Sequence, residues 1–402
     1  LFKMGGVRGG LIIEKKNSRD YPLNKIAERT IGYERLTKDD NFSGVGLEHA
    51  FGSKLRGKNG MQLMQKISNG KWKPISSNNK IEPIPGTDII STINVGFQDI
   101  THHSLLKQLE DFEADHGTAV VMETATGEIK AIANLGRTSE GKYYERLNYA
   151  VGEHLEPGST FKLMSIIAAL EDGKVDLNTI VDTKNGVLDF YGAKVRDSKK
   201  GGYGKISVNE VFKVSSNTGI VKIINDAYKD DPEMFSNRLY NMGLNNKLGV
   251  SILGESNPKI PHPNDKDWNG LSLPWMVYGY GVLLSPLQIL TFYNSVANNG
   301  EMVKPVFTRQ SNLISNKTVL NPSICSDDTL EKVKLMLENV VNEKGGTGYN
   351  IKSNIYKIAG KTGTGQVDYN TDNMQYISSF VGYFPANNCL LYTSPSPRDV
   401  EE

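Results

Sequence analysis

The sequence predicts an α+β protein. Three observations point to that class. A strand hairpin, "GTAVVMETATGEIKAIANL" (117–135), comes early, and several helical stretches fill the middle. Two further strand-like runs, "SNIYKIAGKTGTGQ" (353–366) and "MQYISSFVGYFP" (374–385), come near the end. Strands, then helices, then strands again suggest one domain whose sheet is built from both ends of the sequence.

The elements follow in order. Up to about residue 85 the chain is Lys- and Gly-rich, with short apolar pieces. "KIAERTIGYERL" (25–36) reads as strand or helix pieces, and "GLEHAFGSKLRGKNG" (46–60) as a short helix and a Gly-punctuated turn. "NGKWKPISSNNKIEPIPGTD" (69–88) is rich in Pro, Asn and Ser and marks a boundary. "DIISTINV" (88–95) alternates like a strand, and "FQDITHHSLLKQLEDFEA" (97–114) has helical spacing. In the 117–135 hairpin, Thr126 and Gly127 form the turn pair. A helix opened by Ser159 runs to near Gly173. "VNEVFKV" (208–214) and "GIVKIINDAY" (219–228) are helices on either side of Ser215, Ser216 and Asn217. "PLQILTFYNSVANNG" (286–300) and "TLEKVKLMLENVVNEKGG" (329–346) are helical as well, the first with a Gly stop.

Composition narrows the function classes. Length 402 allows two or three domains. Lys and Arg number 46 against 45 Asp and Glu, with no long basic run, so nothing suggests a nucleic-acid partner. The two cysteines, Cys325 and Cys389, have neither metal-ligand spacing nor a disulfide framework and read as free or buried thiols. His102 and His103 are adjacent, cannot share one ligand along a helix, and read as surface or helix-start residues. No apolar run reaches about 18 residues, as a spanning helix requires. No secretory signal peptide is read in the sequence, and it begins at Leu1 rather than methionine, inside what reads as a folded stretch, so the chain is expected to be a fragment.

Three short motifs carry chemistry. In "LEPGSTFKL" (155–163), Ser159 and Lys162 stand three apart and share a helix face. Pro157 and Gly158 set up a sharp entry, which places the hydroxyl among the free N–H groups of a helix start. Beside a lysine made neutral by desolvation or nearby positive charge, that hydroxyl is an activated nucleophile. The Ser159 N–H can supply half of an oxyanion hole. Taken alone, the pattern more often marks a helix cap followed by a solvated lysine. Ser215, Ser216 and Asn217 alone would usually just cap the next helix. Their functional reading makes Ser215 a proton relay and Asn217 a donor to a substrate carbonyl and to Lys162. Lys361, Thr362, Gly363 and Thr364 place a cation and two same-face hydroxyls on one strand, with glycine leaving room for a substrate backbone. That stretch alone could be a Gly-rich strand end. S-x-x-K, S-x-N and K-T-G in this order, on helix start, interhelical loop and strand, form a specific set.

On these motifs the chain resembles the class B penicillin-binding proteins, the peptidoglycan D,D-transpeptidases. The resemblance runs from about residue 19 to 388 through "YPLNKIAERTIGY", "PGTDIISTINVGFQDI", "LEPGSTFK", "VSSNTG", "GYGVLLSPLQILTFYNSVANNGEMVKP" and "AGKTGTGQ". It implies the penicillin-binding/transpeptidase fold, an antiparallel sheet flanked by helices, preceded by a smaller non-catalytic pedestal. Residues 1–85 would be a partial pedestal of the dimerisation type, 86–388 a C-terminally truncated transpeptidase domain, and 389–402 ("CLLYTSPSPRDVEE" from Cys389) a non-native tail. "GKYYERLNYAVGEHLEPGSTFKL" and "LPWMVYGYGVLLSPLQILTFYN" look most like the septal, cell-division branch, with the elongation branch as near neighbour.

The resemblance also implies roles. Ser159 is the acyl-forming nucleophile, Lys162 its general base, and Ser215 the relay. Asn217 positions the donor peptide; Lys361 supplies positive potential; Thr362 and Thr364, with Gly363 between them, bind the substrate's terminal carboxylate. Substrates would be stem peptides ending in D-Ala-D-Ala, with β-lactams as covalent inhibitors. No metal or organic cofactor is implied. Implied partners are a membrane-embedded glycan polymerase, contacted partly through the pedestal, and division proteins. The implied location is the inner membrane, with the catalytic domain periplasmic. Gly365 stands where the family pattern leads one to expect alanine. A β-lactamase is one rival, but no E-x-x-L-N follows Asn217 to activate a deacylating water. A non-catalytic β-lactam receptor is the other; retention of Lys162, Ser215 and Lys361 argues for live chemistry.

Overall fold

The computed structural model describes residues 20, 26–70, 72–75, 80–309, 317–367 and 375–386. Cys389 and the 389–402 tail lie outside the described residues.

The first segment is built from small pieces. A helix at Glu28–Ile31 leads into a hairpin of Tyr33–Leu36 with Phe42–Val45, then two short helices, Gly46–Ala50 and Gly52–Leu55. The 25–36 stretch therefore holds both a helix and a strand. Two short ladders follow, Met61–Gln62 with Lys80–Ile81 and Met64–Lys66 with Trp72–Pro74. Leu47 is buried in one cluster with Ile129, Ile132 and Phe307, so this segment docks on the domain that follows.

That domain opens on α1 (Val95–Asp111), whose first turn is capped by Asn94, the side chain accepting from Phe97 N at 3.1 Å. The strand expected over 88–95 is only Ile90–Ser91, paired with Thr308–Arg309. Thr92 N still donates to Phe307 O, but Asn94 N donates to Lys130 O instead, and Asn94 then starts α1. The hairpin forms as expected. Strands β1 (His116–Met122) and β2 (Ile129–Arg137) pair antiparallel around Gly127, whose φ of 77° suits the turn.

Helix α2 (Lys162–Glu171) is the centre of the larger core; every residue from Lys162 to Leu170 is buried. Its "LMSIIAAL" run has no polar stripe, the pattern of a helix enclosed on all sides. A small hairpin, β3 (Val187–Phe190) with β4 (Ala193–Arg196), stands beside helix α4 (Asn217–Tyr228), which follows α3 (Val208–Lys213). Helix α5 (Pro286–Ala297) starts with a capping box between Ser285 and Gln288. Helix α6 (Asp327–Asn342) is capped by Ser326 and carries Asp327 and Asp328 in its first turn, matching the helix dipole. The last hairpin pairs β5 (Ala359–Val367) with β6 (Gln375–Tyr383), Lys361 opposite Val381.

The two ends of the sequence do supply strands to one domain, but not to one continuous ladder. Among the described residues β2 pairs with β1 on one side and with Tyr143–Tyr144 on the other, while β5 and β6 pair only with each other. Helix α5 packs against β1 and β6 and so joins the two ladders through side chains rather than backbone hydrogen bonds.

Candidate active site

Ser159 sits on a tight turn. Residues Gly158–Phe161 form a 3-10 turn, and α2 proper begins at Lys162, so the serine lies just ahead of the α-helix rather than in its first turn. Gly158 has φ 55°, and Gly279 packs on it so closely that a Cβ there would lie 2.3 Å from Gly158 O. The Thr160 hydroxyl donates to Pro157 O at 2.8 Å, and the Tyr293 hydroxyl on α5 donates to Thr160 O at 2.8 Å. Glu156, just ahead of the turn, accepts from Gly281 N at 2.8 Å. The turn is thus pinned from three sides. Ser159 itself is half-buried, and its hydroxyl makes no hydrogen bond among the described residues.

Lys162 points at the loop between α3 and α4. Its Nζ donates to Ser215 O at 2.7 Å, to Ser215 Oγ at 3.1 Å and to Asn217 Oδ1 at 2.6 Å, so Asn217 accepts from the lysine instead of donating to it as expected. Ser215 has φ 57°, a left-handed conformation that a serine adopts only when its surroundings hold it there. Asn217 is the first residue of α4, and its Nδ2 donates to Arg196 O at 2.9 Å, linking the loop to the end of β4.

Lys361 reaches the same serine from β5, its Nζ 2.8 Å from Ser215 Oγ and 3.0 Å from Thr362 O. Both lysines are almost wholly buried, at 1% and 0% exposure. Burial holds the Lys162 ammonium well below its usual range; the Lys361 charge lowers it further and the Asp197 carboxylate opposes both. Burial alone pushes Lys361 down to about 7. Neither ammonium pairs with a carboxylate within salt-bridge distance among the described residues, so no ion pair offsets the cost of burying its charge. A neutral Lys162 keeps two N–H donors and gains a lone pair, the requirement for a base.

The other predicted residues line β5. Thr362 donates its hydroxyl to Thr347 Oγ1 at 2.6 Å, and Thr364 is exposed on the same strand face. Gly363 differs from expectation. A Cβ on it would lie 2.3 Å from Ser379 Oγ and 2.9 Å from Thr160 Cγ2, so the room that this glycine leaves is filled by the protein's own packing. Strand β5 is thereby pressed against the Ser159 turn.

The chain matches the family described as "Penicillin binding protein transpeptidase domain" over residues 117–393. It belongs to that family. Its relatives are class B penicillin-binding proteins. It is 28% identical over 386 residues to "Probable peptidoglycan D,D-transpeptidase PenA" of Neisseria meningitidis serogroup B, covering 94% of this chain and 63% of the relative. It is 28% identical over 408 residues to "Peptidoglycan D,D-transpeptidase FtsI" of Buchnera aphidicola subsp. Baizongia pistaciae, covering 97% and 67%. Among solved structures, the transpeptidase domain of Burkholderia pseudomallei penicillin-binding protein 3 is 29% identical with TM-score 0.63, covering 75% of this chain and 85% of that one. The chain spans about 63% of the length of the PenA relative.

This transpeptidase domain brings Lys162, Ser215, Asn217 and Lys361 into direct contact. It places Ser159, Thr362, Gly363 and Thr364 on the adjoining turn and strand. Sequence reasoning missed Asp197, Tyr293, Gly279 and Thr347. None of them stands near its partner in the sequence: Tyr293 lies 133 residues from Thr160, and Asp197 lies 21 from Thr218. Only the "VRDS" stretch at the end of a hairpin offers any signal, a carboxylate placed to meet a nearby helix start. Among the described residues no group of three His, Cys, Asp or Glu could hold a metal.

Proposed function

We propose that this chain is the catalytic part of a serine D,D-transpeptidase that cross-links peptidoglycan stem peptides. The observation that carries the reading is the meeting of two buried lysines on Ser215, beside a turn that presents Ser159 with a hydroxyl making no hydrogen bond among the described residues.

In the first step neutral Lys162 takes the Ser159 proton as Oγ attacks the carbonyl of the D-Ala-D-Ala amide. The N–H groups of Ser159 and Thr364 receive the developing oxyanion. The amide C–N bond breaks, and Ser215 passes a proton to the departing D-alanine amine. Lys361, Thr362 and Thr364 hold the terminal carboxylate, a cation and two hydroxyls suited to an anion. In the second step an amine from a neighbouring stem peptide attacks the ester, forms the new amide and returns the proton to Ser159. A β-lactam follows the first step and stays bound as a slow acyl-enzyme.

We place the reaction on the periplasmic face of the inner membrane, in septal wall synthesis, beside a membrane-embedded glycan polymerase and division proteins. Similarity to an FtsI relative supports the septal branch over elongation. The test is labelling with fluorescent penicillin, followed by mass mapping of the acylated peptide. The label should sit on Ser159 and vanish in Ser159→Ala; a Ser159→Ala protein that still labels rejects the assignment. Rapid β-lactam turnover would favour a β-lactamase. Stable acylation with no cross-linking of stem peptides would favour a receptor without catalysis.

A further inference from the structure

Asp197 lies just beyond β4 and contacts neither Ser159 nor Lys162 by hydrogen bond, yet it grips the loop on which the site depends. Its Oδ1 accepts from Thr218 N at 2.9 Å, and its Oδ2 accepts from the Thr218 hydroxyl at 2.6 Å. The Ser216 hydroxyl donates to both oxygens, at 3.0 and 3.1 Å. Ser216 is the N-cap of α4 and also accepts from Gly219 N at 2.9 Å. The carboxylate therefore sits on the first turn of α4, where free N–H groups and the helix dipole favour negative charge. Asp197 has no ion-pair partner among the described residues, so these groups are what hold it. Between Ser216 and the preceding helix stands Ser215 in its left-handed conformation, and next to it Asn217, tied through Nδ2 to Arg196 O. Two adjacent residues, Arg196 by its carbonyl and Asp197 by its side chain, thus fix Asn217 on one side and Ser216 and Thr218 on the other.

We propose that Asp197 is a positioning residue for acyl transfer: it clamps Ser216 and Thr218, so that Ser215 and Asn217 are held against Lys162, and its negative charge acts on the base. This rests on the transpeptidase reading above. Two charged groups act on Lys162, Lys361 from β5 and Asp197 from the end of the hairpin, and they act in opposite directions. Removing the Asp197 charge leaves Lys361 unopposed, so Lys162 loses its proton at lower pH.

The experiment is the pH profile of penicillin acylation in Asp197→Asn, beside a thermal melt. The second-order rate should fall about tenfold or more, the scale of one lost charge-assisted hydrogen bond. The acid limb of the profile should move to lower pH. An unchanged rate overturns the proposal, and so does a fall in rate with the limb unmoved, which is what simple loosening of the fold produces. Thr218→Val keeps the carboxylate and removes one of its bonds. It should slow acylation several-fold with the limb in place, so a wild-type rate in Thr218→Val overturns the clamp even if Asp197→Asn does not fold. If the wild-type chain is not acylated at Ser159, the transpeptidase reading fails; if it is acylated and the variants match it, only the role of Asp197 fails.

Discussion

Lys162 and Lys361, one at the start of α2 and one on β5, meet at a single atom: Ser215 Oγ lies 3.1 Å from the first Nζ and 2.8 Å from the second. The Lys361 charge beside this hydroxyl favours loss of the Lys162 proton, whereas burial alone lowers Lys361. Acylation should therefore show an acid limb set by deprotonation of the base. Lys361→Met takes away one positive charge and lets Lys162 hold its proton to higher pH. The limb should move up, opposite to the Asp197→Asn shift, and the rate should fall. Stopped-flow acylation across pH checks both; a limb that stays put in Lys361→Met contradicts the coupling.

Gly279 controls the turn that carries the nucleophile. At φ 92°, and with a Cβ position 2.3 to 2.8 Å from the Gly158 backbone, it has no room for a side chain. Gly279→Ala should cost roughly 1–3 kcal/mol from backbone strain alone. It should also displace Gly158 and lower penicillin labelling. Full labelling with an unchanged melting temperature would show that the turn does not depend on this contact.

Glu145 joins the first segment to the sheet. It is 8% exposed and accepts from Arg29 N at 2.8 Å and from Asn134 N at 3.4 Å. Burial raises its carboxyl to about 7, against those two N–H groups, which pull it down. The folded state then holds a proton that the unfolded chain has released above its ordinary value near 4.5. The contribution to stability is present at low pH and is lost as pH rises through about 7, a change of ~3 kcal/mol at most. Glu145→Gln should flatten the fall in melting temperature between about pH 4.5 and 7. An equally steep fall in the variant would mean that another group titrates.

Much of this protein was legible in the sequence because its signals are local. The hairpin around Gly127, the cap Ser216 and the apolar run of α2 each depend on residues within a few positions of one another. The three motifs were legible for the same reason: spacing of three puts Ser159 and Lys162 on one face, and alternation puts Thr362 and Thr364 on another. Local order also predicted strands from both ends of the domain, but not that α5 would join them without a shared ladder. Nor did it show that Gly363 is there for Thr160 and Ser379, which lie far from it along the chain or on the facing strand.

The sequence by itself determined which groups are available and which secondary structure carries them, since both depend on short-range sterics and hydrogen bonding. Only the tertiary structure decided that Lys162 and Lys361 share one hydroxyl, that both are stripped of water, and that Asp197 returns to hold α4. Those are properties of burial and of distance in space, and neither is written in the order of residues along the chain.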